Sequence, residues 1–229
     1  MIDRRQFTGA LPAALGALWM PASAAGLAGL SEGDAAAGVR AALERGALAA
    51  VALLGKTDGF LGNPQVRIAL PGALEDAAKL LRATGQGKRV DELVTAMNRA
   101  AEQAVPEART LFVSTVKVLS VEDALKIVRG GDTAVTEFFA GKTRSPLFER
   151  FMPIVTRATE KVKLADRYNA IAAKAQGLGL VKGDQANVQR HVTGKALDGL
   201  YFMVGEEEKK IRADPLKTGS AILKKVFGR

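Results

Sequence analysis

The chain has no cysteine and a single histidine among its 229 residues. The first absence removes disulfides, thiol nucleophiles, thiolate-ligated metals and a lipid-bearing cysteine together. The second removes any metal site built on two histidines. A serine–histidine–carboxylate triad could use only His191, and no Gly-x-Ser-x-Gly elbow is present. Arg190 and Lys195 flank His191, so a surface position is expected for it. Aromatic residues make up 5% of the chain. No internal repeat of solenoid period and no low-complexity linker interrupts it.

The longest apolar stretch, Phe7 to Met20, is shorter than the roughly 20 residues a membrane span needs. Gly9, Pro12 and Gly16 interrupt it. Arg4-Arg5-Gln6-Phe7 precedes it and Pro21-Ala22-Ser23-Ala24 follows. This is the layout of a cleavable leader. The arginine pair resembles a twin-arginine export signal, which is read as an address and not an anchor. The expectation is an export signal over residues 1–24 and a single helical domain over 25–229, located in the periplasm. An exported domain without disulfides must hold itself together with a real core. A chain of this length can bury roughly 70% of its surface.

The net charge is +9; losing Asp3, Arg4 and Arg5 with the leader takes away +1 and leaves +8. From Lys209 onward seven cations (Lys209, Lys210, Arg212, Lys217, Lys224, Lys225, Arg229) stand against Asp214, a net of +6. Ile222, Leu223, Val226 and Phe227 flank Lys224 and Lys225 at helical spacing. Such a helix can dock on the core, or it can lie on an anionic membrane surface through Lys217, Lys224, Lys225 and Phe227. No nucleic-acid recognition motif or aromatic-studded basic groove accompanies the charge, so nucleic acid is not an expected partner.

Abundant alanine, with breaks at glycine, proline and capping residues, predicts an all-α fold: a compact multi-helix bundle of short helices. Ser31 with Asp34, and Ser120 with Asp123, form capping boxes. Val39, Leu43, Ala47, Ala50 and Leu54 make one helix face ending at Gly55. Val90, Leu93, Met97, Ala101 and Ala104 make another, with Pro106 suited to the first turn of the helix after it. Residues 56–72 break the pattern. Asp58-Gly59 and Gly62-Asn63-Pro64 are turn signals, and Val66, Ile68 and Leu70 alternate with Arg67 and Ala69, an extended piece. Gly130-Gly131 stops a helix and Asp132 can cap the next, which carries Phe138 and Phe139. Leu147, Phe151, Val155, Ala158 and Val162 face inward on a further helix, which Pro153 should kink or start. Helices over about 165–176 and 192–213 follow.

Candidate sites are few. Gly130-Gly131-Asp132-Thr133 lacks the lysine and spacing of a phosphate loop. The Asp58–Pro64 stretch sets two large apolar residues among turn formers. It is either a structural plug or a ligand-binding loop, in which Phe60 would line a pocket and Asn63 would orient a ligand. Asp58, Phe60, Leu61, Asn63, Phe138, Phe139 and Phe151 are the ligand-site candidates. Glu206–Lys210 and Glu208–Arg212 are i,i+4 pairs. Glu207 falls on the apolar stripe of Leu197, Leu200 and Val204, so a buried ion pair with Arg99 or Arg67 is expected. An acid–base enzyme would draw on Glu207, Asp132, Asp58 or Tyr168. No metal or cofactor is expected.

Several segments together resemble an uncharacterised bacterial family, domain of unknown function 4197. They are Gly29-Leu30-Ser31-Glu32-Gly33-Asp34, the Asp58–Pro64 stretch, Asn98-Arg99-Ala100-Ala101-Glu102, Gly130-Gly131-Asp132-Thr133-Ala134, Lys195-Ala196-Leu197-Asp198-Gly199-Leu200, and Glu206-Glu207-Glu208-Lys209-Lys210-Ile211-Arg212-Ala213-Asp214-Pro215. The similarity runs from about Gly29 to Gly228. It implies an exported, mainly helical protein with no assigned reaction and supplies no catalytic residues. The expected role is non-enzymatic binding of an apolar small molecule or an envelope protein. The alternatives are attachment to an anionic membrane surface and carboxylate acid–base catalysis without a metal.

Overall fold

Ser31 and Ser120 act as their spacing to Asp34 and Asp123 predicts. Each hydroxyl accepts the N–H of the residue three places on, at 3.1 and 3.0 Å. In this computed structural model, residues 31–131, 133–160, 163–177 and 187–214 are described. The leader, Asp132, Val162 and the membrane-surface candidates Lys217, Lys224, Lys225 and Phe227 lie outside them.

The described residues form helices and contain no strand. The elements are α1 (Glu32–Leu54), α2 (Gly72–Ala83), α3 (Gly87–Ala104), a 3-10 turn (Val105–Glu107), α4 (Ala108–Lys117), α5 (Val121–Arg129), α6 (Ala134–Thr159), α7 (Lys163–Gly177) and α8 (Val188–Ala213). The inward faces expected of α1 and α3 are buried throughout. Gly55 closes α1 by donating its N–H to the Val51 carbonyl at 2.8 Å. Pro106 falls in the 3-10 turn and not in α4 itself. The turn joins α3 to α4 without a loop and uses a residue that has no N–H to leave unpaired.

The helix expected to carry Phe138 and Phe139 and the further one expected to carry Leu147, Phe151 and Val155 are one. α6 runs for 26 residues through Pro146 and Pro153. Each proline deletes a hydrogen bond to the carbonyl four residues back. Those carbonyls belong to Lys142 and Glu149, both exposed, so water can replace the lost donors. Every fourth residue of α6 from Val135 to Thr159 is buried. A step of four in a helix of 3.6 residues per turn rotates the buried stripe by about 40° each time. The helix therefore turns successive sides to its neighbours, and it packs on α8 and α3 above all, then on α4 and α5. Thr136, Thr143 and Met152 meet Gly205, Tyr201 and Thr193 in turn. The α8 numbers fall as the α6 numbers rise, so the two helices are antiparallel.

α8 starts at Val188 and not near Val192. Two asparagines start it. Asn187 Oδ1 accepts the Arg190 N–H at 3.0 Å, and Asn169 Oδ1 of α7 accepts the Val188 N–H at 2.8 Å. The core is aliphatic with a few large rings. Phe60, Phe112, Phe139 and Phe151 are fully buried, and Phe112 meets Phe139 edge to face at 4.9 Å, the arrangement ring quadrupoles favour.

Candidate functional site

The loop between α1 and α2 is held from beneath by α3. Glu102 is buried. Its Oε1 accepts the Phe60 and Leu61 N–H groups at 3.1 and 3.2 Å, and its Oε2 takes Arg99 Nη1 at 2.6 Å. Arg99 Nη2 reaches on to Asp58 at 2.8 Å. Asp58 itself is exposed and left-handed, with φ of 64°, a conformation aspartate tolerates better than most residues. One buried carboxylate thus satisfies two loop N–H groups, and one arginine ties it to the loop's own aspartate.

The loop is a plug. Phe60 inserts against α8 at Gly199, where a Cβ would lie 2.8 Å from the ring Cε1 and 3.2 Å from Val66 Cβ. Gly59 is equally constrained, because a Cβ there would stand 2.4 Å from the Leu54 carbonyl oxygen. Gly199→Ala should therefore destabilise the fold by about 1–3 kcal/mol through overpacking. A thermal melt should show it as a loss of roughly 2–4 °C per kcal/mol. An unchanged melting temperature would mean that Phe60 is not seated there.

Asn63 is turned to its own backbone. Its Oδ1 accepts the Gln65 N–H at 3.1 Å, and its carbonyl accepts Val66 and Arg67 N–H groups at 3.2 and 2.9 Å. Leu61 is partly buried. Val66 lies in a turn and residues 67–70 are neither helix nor strand, but the expected alternation holds, with Val66 and Ile68 buried and Arg67 and Ala69 exposed. In place of a neighbouring strand, Asn98 of α3 reads it. Asn98 Oδ1 accepts the Ile68 N–H at 2.8 Å, and Nδ2 donates to the Ile68 and Val94 carbonyls at 2.9 and 2.8 Å.

His191 anchors the same segment from α8 and is buried, which corrects its expected surface position. The early start of α8 turns it inward beside Val188 and Val192. Its Nε2 lies 3.0 Å from the Ala69 carbonyl, which can only accept, so Nε2 carries the proton. Burial, reinforced by Lys195, pushes the imidazole pKa below its ordinary value of 6.5; the Ala69 bond and Asp198 oppose the shift without reversing it. A depressed folded-state value means the unfolded chain takes up the proton first. The stability contributed by neutral His191 is complete above about pH 6.5 and declines as pH falls below it, by at most about 1.4 kcal/mol per unit. Denaturant unfolding at pH 7.5, 6.5 and 5.5 should show this slope in the wild type. His191→Gln, which keeps an N–H donor but does not titrate, should flatten it.

The glutamate run corrects a second expectation. Glu208, not Glu207, is the buried carboxylate, 4% exposed at its side chain, against 17% for Glu207. Glu207 lies on the seam with α1, its Cβ 3.6 Å from where a Cβ on Gly46 would stand. From there its carboxylate reaches out to Lys210 at 2.7 Å, and Glu206 pairs with Lys209 and not with Lys210. Arg99 is committed to Glu102 and Asp58, and Arg67 is exposed; neither serves Glu207. Glu208 is drawn inward by the N-terminus of α6, whose preceding residue, Thr133, makes no cap. It accepts the Val135 and Thr136 N–H groups at 3.3 and 3.2 Å and the Thr136 hydroxyl at 3.0 Å. Arg212 completes the cluster, at 2.9 Å from Glu208 and 3.3 Å from the last-turn carbonyl of Ile127 in α5. Negative charge at a helix start is stabilising, so Glu208 is a cap supplied from another helix.

The remaining ligand-site candidates do not gather around a cavity. Phe139 and Phe151 are interior, as is Phe60. Phe138 is half-buried under Lys142, whose Nζ lies 5.9 Å from the ring centre. A cavity beside Glu208, lined by Leu43, Gly46, Val135, Val204, Ile211 and Arg212, measures about 10 Å³, room for one water. A broad depression of about 490 Å³ at Gln103, Ile154, Arg157, Ala158 and Glu160 lies open to solvent. The acid–base candidates among the described residues do not converge either; Asp132 lies outside them. Asp58 is bound to Arg99, Glu207 to Lys210, and Tyr168 is buried in the core, with its pKa driven upward by burial. No group of three or more histidine and carboxylate side chains that could hold a metal occurs among the described residues. No helix there is long and apolar enough to cross a membrane.

Two residues that do most to hold the loop, Asn98 and Glu102, are missing from the expected sites. They continue the row Val90, Val94 at four-residue steps, all buried. Polar side chains on an apolar row were the available signal. Comparison with curated proteins and with solved structures finds no match. The profile of one family, described as "Protein of unknown function (DUF4197)", matches residues 29–228, a span that includes both the Glu102 and Glu208 clusters. The chain belongs to the DUF4197 family.

Proposed function

We propose that this protein is an exported periplasmic helical domain that acts by binding another envelope protein and does not catalyse a reaction. One observation carries the reading: the buried Asn98, Glu102, Glu208 and His191 are each spent on a backbone group of the fold. Among the described residues nothing comparable is gathered around a ligand-sized cavity, which counts against an apolar small molecule as well as against carboxylate catalysis. The basic, cysteine-free composition and the leader of residues 1–24 support the location. Native mass spectrometry of the chain purified from its own cell envelope tests this. The expected species is the form beginning at Ala25, in complex with a second protein and without a small-molecule adduct. Retention of residues 1–24, or a stoichiometric small molecule, would sink the proposal.

The +6 charge from Lys209 onward favours a second reading, attachment to anionic lipid. Flotation on vesicles with and without phosphatidylglycerol, comparing the mature chain with one ending at Asp214, decides it. Loss of flotation in the shorter chain and at high salt is the expected result.

A further inference from the structure

Aspartate stands directly before glycine twice in the sequence, at Asp58-Gly59 and at Asp198-Gly199. Such a pair can rearrange its own backbone. The glycine nitrogen attacks the aspartate Cγ and a bond forms between them. The amide proton and a carboxyl OH leave together as water. Water then adds back to the five-membered imide at either carbonyl. One opening restores aspartate; the other leaves the main chain running through the side-chain carbon, as isoaspartate. No atom is gained or lost overall, and no oxidant or cofactor is needed. The ring closure requires a neutral carboxyl, a following residue without a side chain, and a backbone free to swing. The fold separates the two pairs on the last requirement. Gly199 lies in the middle of α8 under Phe60 and Val66, where the backbone cannot swing without unwinding the helix. Asp58 lies in a turn, its side chain 59% exposed, and is left-handed at φ of 64°, a conformation that persists only while its surroundings hold it. Gly59 must be glycine, because a Cβ would stand 2.4 Å from the Leu54 carbonyl oxygen. Packing thus dictates the residue that makes Asp58 reactive.

We propose that Asp58 is a modification site, at which the chain isomerises to isoaspartate through the Gly59 nitrogen, and that Arg99 restrains the reaction. Arg99 Nη2 holds Asp58 Oδ1 at 2.8 Å. The ion pair needs the charged carboxylate and the ring closure needs the neutral one, so the two compete for the same group. Gly59 supplies a second restraint, since its N–H is donated to the Lys56 carbonyl at 3.0 Å. Arg99 is itself positioned by buried Glu102, which holds Nη1 at 2.6 Å. The product does not fit the loop. Isoaspartate inserts one carbon into the main chain just ahead of the Phe60 and Leu61 N–H groups that rest on Glu102. It also moves the carboxylate that Arg99 grips onto a main-chain carbon. Isomerisation therefore unseats the plug and lowers the stability of the fold.

Isoaspartate formation in the full chain, held for weeks in mildly acidic buffer, tests this. Peptide mapping with electron-transfer fragmentation assigns the position, and isoaspartate-specific methyl transfer gives the amount. The wild type should accumulate isoaspartate at Asp58 and none at Asp198. Arg99→Gln should speed formation at Asp58 by about two- to fivefold, the span of a partly exposed ion pair. Asn98→Ala loosens the chain beyond the loop but leaves the Arg99–Asp58 pair in place, and should stay within about twofold of the wild type. Raised salt screens such a pair and should speed the wild type, a readout that holds even where Arg99→Gln folds poorly. The separated isoaspartate form should melt below the unmodified chain. No isoaspartate at Asp58 in either the wild type or Arg99→Gln overturns the proposal, and so does equal accumulation at Asp198. An Arg99→Gln rate no faster than the wild type, or one matched by Asn98→Ala, overturns the restraint by Arg99, as does a wild-type rate indifferent to salt. An isoaspartate form that melts with the unmodified chain overturns the link to the plug.

Discussion

Glu102→Ala is expected to cost about 3–5 kcal/mol of stability, the range for removing one member of a buried charged pair. The substitution strands the Phe60 and Leu61 N–H groups beneath the plug and frees Arg99 from the closer of its two carboxylates. Glu102→Gln should cost less, about 1.5–3 kcal/mol. Its amide oxygen can still accept from both N–H groups, whereas the NH2 that replaces Oε2 cannot accept from Arg99, so the charge and that one hydrogen bond are lost. Urea unfolding followed by circular dichroism gives both numbers, and the ordering is the discriminating feature. Equal losses would mean that the ion pair, and not the reach to the loop backbone, carries the effect. No loss in either would mean that the plug does not rest on α3.

Adjacent glutamates on α8 should behave oppositely. Glu208→Ala removes the cap of α6 and leaves Arg212, itself only 17% exposed, with the Ile127 carbonyl as its remaining described partner from this cluster. A loss of about 3–5 kcal/mol is expected. Glu207→Ala deletes a partly exposed i,i+3 pair and should stay within about 0.5 kcal/mol. The same urea experiment reads both. If Glu207→Ala proved the more damaging, the assignment of the buried carboxylate would be reversed.

The helical parts of this fold were legible because they rest on short-range rules. Serine-to-aspartate spacing fixed two helix starts, and the three- and four-residue apolar steps of α1 and α3 marked their buried faces. The failures have a common physical origin. Pro153 reads as a kink or a helix start because a proline removes a backbone hydrogen bond. Whether that loss matters depends on which side of the helix faces water, a tertiary fact. Glu207 and Glu208 are both placed near an apolar stripe by helical spacing. The choice between them was made by the bare N-terminus of α6, more than 70 residues away in the chain. His191 likewise turned inward only because α8 begins at Val188, and Asn169 of a different helix helps to set that start. The Asp58–Pro64 stretch was recognised as unusual, but its role depended on Glu102 and Gly199, partners that no local pattern connects to it.

The side of α1 that carries Gly46 is closed by Val204, Glu207 and Ile211 of α8, residues from opposite ends of the described chain. During synthesis, Ala42, whose buried neighbour is Ile211, and Gly46 leave the ribosome long before α8 exists. An N-terminal fragment cannot bury them, and such distant pairings are slow to form. The domain can shut only after translation has all but finished. Until then this side of α1 stays open, and any factor that binds nascent chains has that whole interval in which to act.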